Sequence, residues 1–134
     1  MDDLIKITPD KEKAKSILKM VSLIEERIKI QNKKKMTALI IADYYEIIKE
    51  LITGVLFLEG YKTLSHKNLI NYLKRYPEFG SNELSILDDL RILRNRITYE
   101  GFFVDISYLD RNEQLFKEII KKLKNFVDKR INFK

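Results

Sequence analysis

MTALIIADYYEIIKELITGVLFLEG, residues 36–60, decides how this chain folds. Ile40, Tyr44, Ile47, Leu51, Val55 and Leu58 recur at helical spacing, and Ile41, Tyr45, Ile48 and Ile52 form a second apolar stripe beside them. Together they predict a helix from about Met36 to Glu59, stopped by Gly60. So wide an apolar face belongs to a central helix, or to one that also meets a partner chain. Gly54 costs the helix up to about 1 kcal/mol relative to alanine, so it is read as a mark of close helix approach.

The flanking segments carry the same period. Thr8-Pro9-Asp10 reads as an N-cap with proline at the first helical position and an acid in the first turn. Ile17, Val21, Ile24 and Ile28 then carry a helix from about Asp10 to Gln31, and Asn32 to Lys35 is a polar turn. Ser65 is expected to cap a short helix ending near Tyr76, with Leu69, Leu73 and Tyr76 inward. Ser81 is read as the cap of a fourth helix, with core stripe Ile86, Leu90, Leu93 and Ile97 and terminator Gly101. FFVDISYL is read as a connection, after which Asp110 and Glu113 open a fifth helix in the manner of a capping box. Phe116, Ile120, Leu123 and Val127 continue it. No alternating strand pattern stands out. The expectation is one all-α domain over residues 1–134, an antiparallel four-helix bundle with an additional short helix.

Composition narrows the chemistry. The chain has no cysteine and a single histidine, so disulfides, thiolate metal sites and multi-histidine metal sites are excluded. Glu-x-x-His does not occur on two helices, as a di-iron bundle requires. No cofactor is expected. The opening MDDLIKITPD lacks the basic and apolar regions of a signal peptide, and no apolar run approaches membrane-spanning length. A cytoplasmic location without membrane contact is the expectation. A net charge of +6 and a pI near 9.4 favour a polyanion partner such as RNA or a nucleotide; the alternative is a lysine-rich solubilising surface.

The chemistry-bearing residues gather on the fourth helix, in LRNRITYEG, residues 93–101. At about 100° per residue, and with Ile97 as the centre of the core face, Arg94 lies roughly 60° off centre. Asn95 lies near 160°. Asp88, Arg91, Asn95 and Tyr99 make one polar stripe, and Arg94 stands between it and the core. In a regular helix Arg94 and Tyr99 point about 140° apart, so they share a ligand only across a cleft or where the helix loosens. Arg91 can pair with Asp88, and Arg94 with Glu46 of the second helix.

The run Arg94-Asn95-x-x-x-Tyr99 resembles the R-x4–6-H motif of the HEPN superfamily, in which asparagine often follows the arginine. YYEIIKELITGVLFLEGYKTLSHKNLI, residues 44–70, looks like the second helix and following loop of small prokaryotic HEPN proteins. With the order of helices, the resemblance covers about Asp10 to Asp128. It implies a metal-independent RNase or RNase-like toxin, a homodimer that joins two motifs in one cleft, and a minimal nucleotidyltransferase as antitoxin partner. Arg94, Asn95 and Tyr99 would be its catalytic residues, with Arg91, Glu46 and His66 in support. Arg94 suits the phosphate, because guanidinium stays charged and binds it bidentately.

This chain departs from the motif where it carries Tyr99 in place of histidine. Histidine suits proton transfer because its pKa lies near neutrality. A tyrosine of ordinary pKa is ionised only on the order of 0.1 % at pH 7, so hydrogen-bond donation or stacking under a base fits it better. Gly101 stands where one toxin branch carries a tyrosine that the partner enzyme modifies. His66 could replace the missing histidine, although no spacing places it near Arg94. The departure also keeps open a non-catalytic module that binds a nucleotide or a nucleotidyltransferase. A helical DNA-binding regulator ranks last, for want of helix-turn-helix spacing.

Overall fold

The structure is a computed structural model and describes residues 4–132; the acidic Asp2 and Asp3 of the opening segment lie outside it. In chain order the elements are β1 (Ile5–Lys6), α1 (Lys11–Ile30), α2 (Thr37–Glu59), β2 (Tyr61–Lys62), α3 (His66–Tyr72) with a 3-10 turn at Leu73–Arg75, α4 (Ser81–Glu100) and α5 (Ile106–Asn132). The chain is mainly helical. Among the described residues the one sheet is the antiparallel pair of β1 and β2, with Ile5 opposite Lys62. Two residues per strand are too few to show an alternation, so neither strand is legible from the residue pattern.

The width of the apolar face on α2 follows from its central place. Both stripes are buried, from Ile40 and Ile41 to Ile52 and Val55, while Leu39 is the one exposed large apolar side chain within this helix. The helix packs against α1, α4 and α5. Arg27 binds Asp43 beside the α1–α2 turn, and Ile17 meets Gly54 further along, so α1 and α2 run antiparallel. Tyr44 packs against Phe116, Gly54 lies beside Val127 and Glu59 accepts from Arg130, so α2 and α5 run parallel. The two stripes are therefore spent within the chain, and they do not form a partner face.

Several helix starts differ from expectation. The α1 cap is Asp10, whose carboxylate accepts from the Lys13 N–H at 3.0 Å, and Pro9 precedes it instead of opening the helix. Gly80, not Ser81, is the α4 cap. Glycine has no side chain to offer, so half of the capping arrangement remains: Gly80 N–H donates to the Glu83 carboxylate at 3.1 Å. The fifth helix begins at Ile106, because Asp105 accepts from the Ser107 N–H at 2.8 Å. Asp110 and Glu113 instead bind Lys33. The α4 core face centres on Leu87 and Leu90, with Ile86, Leu93 and Ile97 only partly buried. Ser65 caps α3 as expected, accepting from the Asn68 N–H.

The two glycines of α2 and its end have opposite requirements. Gly60 has φ 85°, and a Cβ there would lie 3.0 Å from the Ile7 carbonyl oxygen. A Cβ on Gly54 would meet Ile17 at 3.7 Å and Val127 at 3.9 Å, which is ordinary contact. Gly54→Ala should therefore stabilise the fold by about 0.5–1 kcal/mol, and Gly60→Ala should destabilise it by about 1–2 kcal/mol. Urea denaturation of the two variants checks both signs; a Gly54→Ala protein weaker than the parent would contradict the packing.

Candidate functional site

Beyond Leu90, α4 buries no further residue. Its C-terminal half lies along the rim of the core, which explains how charged and polar side chains are accommodated there. Gly101 ends the helix in the left-handed conformation, φ 63°. Here α4 faces α1 across a groove floored by α2. Met20 and Arg27 line one wall, Arg94 and Thr98 the other, and Asp43, Glu46 and Glu50 lie between, around a volume of about 550 Å³.

The carboxylates of this floor are engaged. Asp43 accepts two bonds from Arg27, at 2.7 and 3.1 Å, and one from Gln31 at 2.8 Å. Lys49 binds Glu46 at 2.8 Å and Glu50 at 3.3 Å. The expected Arg94–Glu46 pair is therefore not formed, and Lys49 takes the carboxylate instead. Arg91 does pair with Asp88, at 2.9 Å. Arg96 is separate and lies over Phe102, 3.8 Å from its ring centre.

Arg94 is held differently. Its Nη1 donates to Asn95 Oδ1 at 3.2 Å, and its guanidinium carbon lies 5.6 Å from the Tyr45 ring centre and 5.8 Å from that of Tyr99. Among the described residues it forms no ion pair. The 140° between Arg94 and Tyr99 is thus spanned by the length of the arginine side chain, without loosening of the helix. Arg94, Asn95 and Tyr99 come together, and Tyr99 is 74 % exposed.

Tyr45 joins the site from α2. It is buried, and its phenol is pushed up to about 12 by that burial, although Arg94 and Arg91 pull it back. It therefore stays neutral and acts as an apolar platform for the guanidinium. The His66 ring packs against the same tyrosine, with ring centres 6.0 Å apart. The structure thus brings His66 into the neighbourhood of Arg94, a link that the sequence did not supply. Helical spacing alone counts Tyr45 as core and does not mark Lys49. The i, i+4 spacing of Tyr45 and Lys49 was the available clue.

The His66 pKa is lowered from its ordinary value of 6.5, first by burial and then by the charges of Lys49 and Arg94, with Glu46 opposing. The imidazole is therefore neutral at pH 7 and able to accept a proton. On acidification the unfolded chain takes up this proton before the folded one. Stability therefore falls as pH drops through 6.5 and levels off below the folded pKa. His66 is the only histidine, so one NMR signal reports it. Arg94→Ala should raise its pKa; an unchanged titration would separate the two groups.

The formal charges of Arg27, Lys49 and Arg94 cancel those of Asp43, Glu46 and Glu50. The groove is consequently not a track that gathers a polyanion by its field. Its chemistry is local: one guanidinium without a carboxylate partner, able to form two parallel bonds to a phosphate. Among the described residues no three His, Cys, Asp or Glu side chains are grouped as a metal ion would need, and no helix is long and apolar enough to cross a membrane. Compared with known proteins, the chain matches no family model, no curated protein and no solved structure.

Proposed function

We propose that this chain acts on RNA as an endoribonuclease of the metal-independent HEPN kind, built on an antiparallel four-helix bundle, and that Arg94 receives the scissile phosphodiester. The observation that carries the reading is Arg94 itself, partly buried, held by Asn95 and two tyrosine rings, and without an ion pair among the described residues. Cleavage would proceed by attack of the 2′-oxygen on the adjacent phosphorus, with loss of the 5′-oxygen and formation of a cyclic phosphate. Arg94 stabilises the added charge on the phosphoryl oxygens. Neutral His66 is the group suited to take the 2′-proton. The exposed Tyr99 donates its hydroxyl to the leaving oxygen or stacks under a base.

A second copy of the chain would set its own Arg94 and Tyr99 beside the first, and a minimal nucleotidyltransferase would be the antitoxin partner, in a cytoplasmic setting. The neutral charge of the groove favours one further reading, a nucleotide- or nucleotidyltransferase-binding module that leaves RNA intact. An RNA cleavage assay comparing the parent, Arg94→Ala and Tyr99→Phe tests the proposal. Turnover that depends on Arg94 supports an endoribonuclease. Arg94-dependent binding with intact RNA selects the module. Arg94→Ala behaving as the parent in both respects removes the site.

A further inference from the structure

A second cavity, of about 380 Å³, lies on the opposite side of α1 from the Arg94 groove, between α1, the α1–α2 turn, α2 and α5. Its floor is apolar, formed by Ile28, Ile40 and Ile120 with the ring of Tyr44. Its surround is basic. Five lysines and two glutamates line it, a surplus of three positive charges and half of the chain's net +6. Lys33 and Lys124 are taken up by Glu113 and Glu25. Lys29, Lys117 and Lys121 form no ion pair among the described residues. Lys117 and Lys121 are an i, i+4 pair of like charge that a bound anion would bridge, and Lys117 also lies in the field of Glu113, four residues before it.

Of the two acids at this cavity, Glu113 is held by two groups. Glu113 accepts from the buried Tyr44 hydroxyl at 2.7 Å and from Lys33 at 2.7 Å. Burial would raise its pKa, but these bonds outweigh it and hold the carboxyl below the ordinary range. The cavity thus offers unpaired ammonium groups for an anion, an apolar floor for a flat body and an ionised carboxylate for hydroxyl donors. From this combination we infer that the cavity binds a nucleoside monophosphate: the phosphate on Lys117, Lys121 and Lys29, the base over the isoleucines, and a ribose hydroxyl donating to Glu113. The volume lies within the range of small-molecule sites. The inference does not rest on the RNA reading of Arg94.

Isothermal titration of the full chain with AMP, GMP, CMP and UMP, and with adenosine and inorganic phosphate as separate arms, tests it. At least one monophosphate should saturate at one per chain, while adenosine and inorganic phosphate bind at least about tenfold more weakly. Lys117 and Lys121 are exposed, so the Lys117→Gln/Lys121→Gln protein is expected to fold, which far-UV circular dichroism checks. It should lose affinity by about tenfold or more, which is about 1.4 kcal/mol, whereas Lys62→Gln, at an exposed lysine of β2 that does not line the cavity, should bind as the parent does. Saturation by none of the four monophosphates, equal affinity in the double-lysine variant, or an equal loss on Lys62→Gln would each overturn the site. Binding of an RNA oligonucleotide at these lysines with no monophosphate bound would overturn it too.

Discussion

On the proposed endoribonuclease reading, Arg94→Ala should lower the rate of RNA cleavage by about 10²–10³-fold, the effect of removing one preorganised donor from an oxyanion hole. The expectation follows from the way the side chain is held. Asn95 and the two tyrosines fix the guanidinium without neutralising it, and the neighbouring carboxylates are already occupied by Arg27 and Lys49. Arg94→Lys should recover only part of the loss, because an ammonium keeps the charge but not the planar fork. Arg91→Ala should have a smaller effect, since Arg91 is tied to Asp88. Single-turnover rates of the three variants, with circular dichroism as a folding check, give the comparison. Parent-like cleavage by Arg94→Ala would remove the arginine from the chemistry.

Ile48→Ala should cost about 2–5 kcal/mol of folding stability, the range for emptying a well-packed core position. Ile48 is 1 % exposed and belongs to the second stripe of α2. That stripe is covered by the chain's own helices, so its truncation leaves a cavity inside the domain. Denaturant unfolding, read with light scattering on the same samples, distinguishes the two roles the sequence allowed. A large loss of stability is the expected result. A change in association without loss of stability would mean that the stripe serves a partner.

The long helices were legible because each repeats its apolar residues over several turns, so an error at one position changes little. Their starts were harder to read because neighbouring residues competed for the cap. Thr8 and Asp10 are both good caps, and the Asp10 carboxylate took the α1 amide. Asp105 was hidden inside FFVDISYL, whose aromatic residues read as a connection. The α4 face was misjudged for a different reason. Counting from Ile97 found the most apolar direction, but burial follows Leu87 and Leu90, where the helix meets its neighbours.

At the candidate site, Arg94, Asn95 and Tyr99 were readable because they are close in sequence on one helix. Tyr45 and His66 were not assembled with them. They come from α2 and α3, and only tertiary packing sets both against one guanidinium and one another. Lys49 likewise decides which cation meets Glu46, a competition that spacing on α4 alone does not contain.

The most direct measurement is a fluorescence-anisotropy titration of a labelled single-stranded RNA with the parent and Arg94→Ala proteins at one fixed salt concentration. A charge-assisted phosphate contact contributes about 1.5–3 kcal/mol, so the account predicts binding weaker by at least about tenfold in the variant. Superimposable binding curves would contradict it.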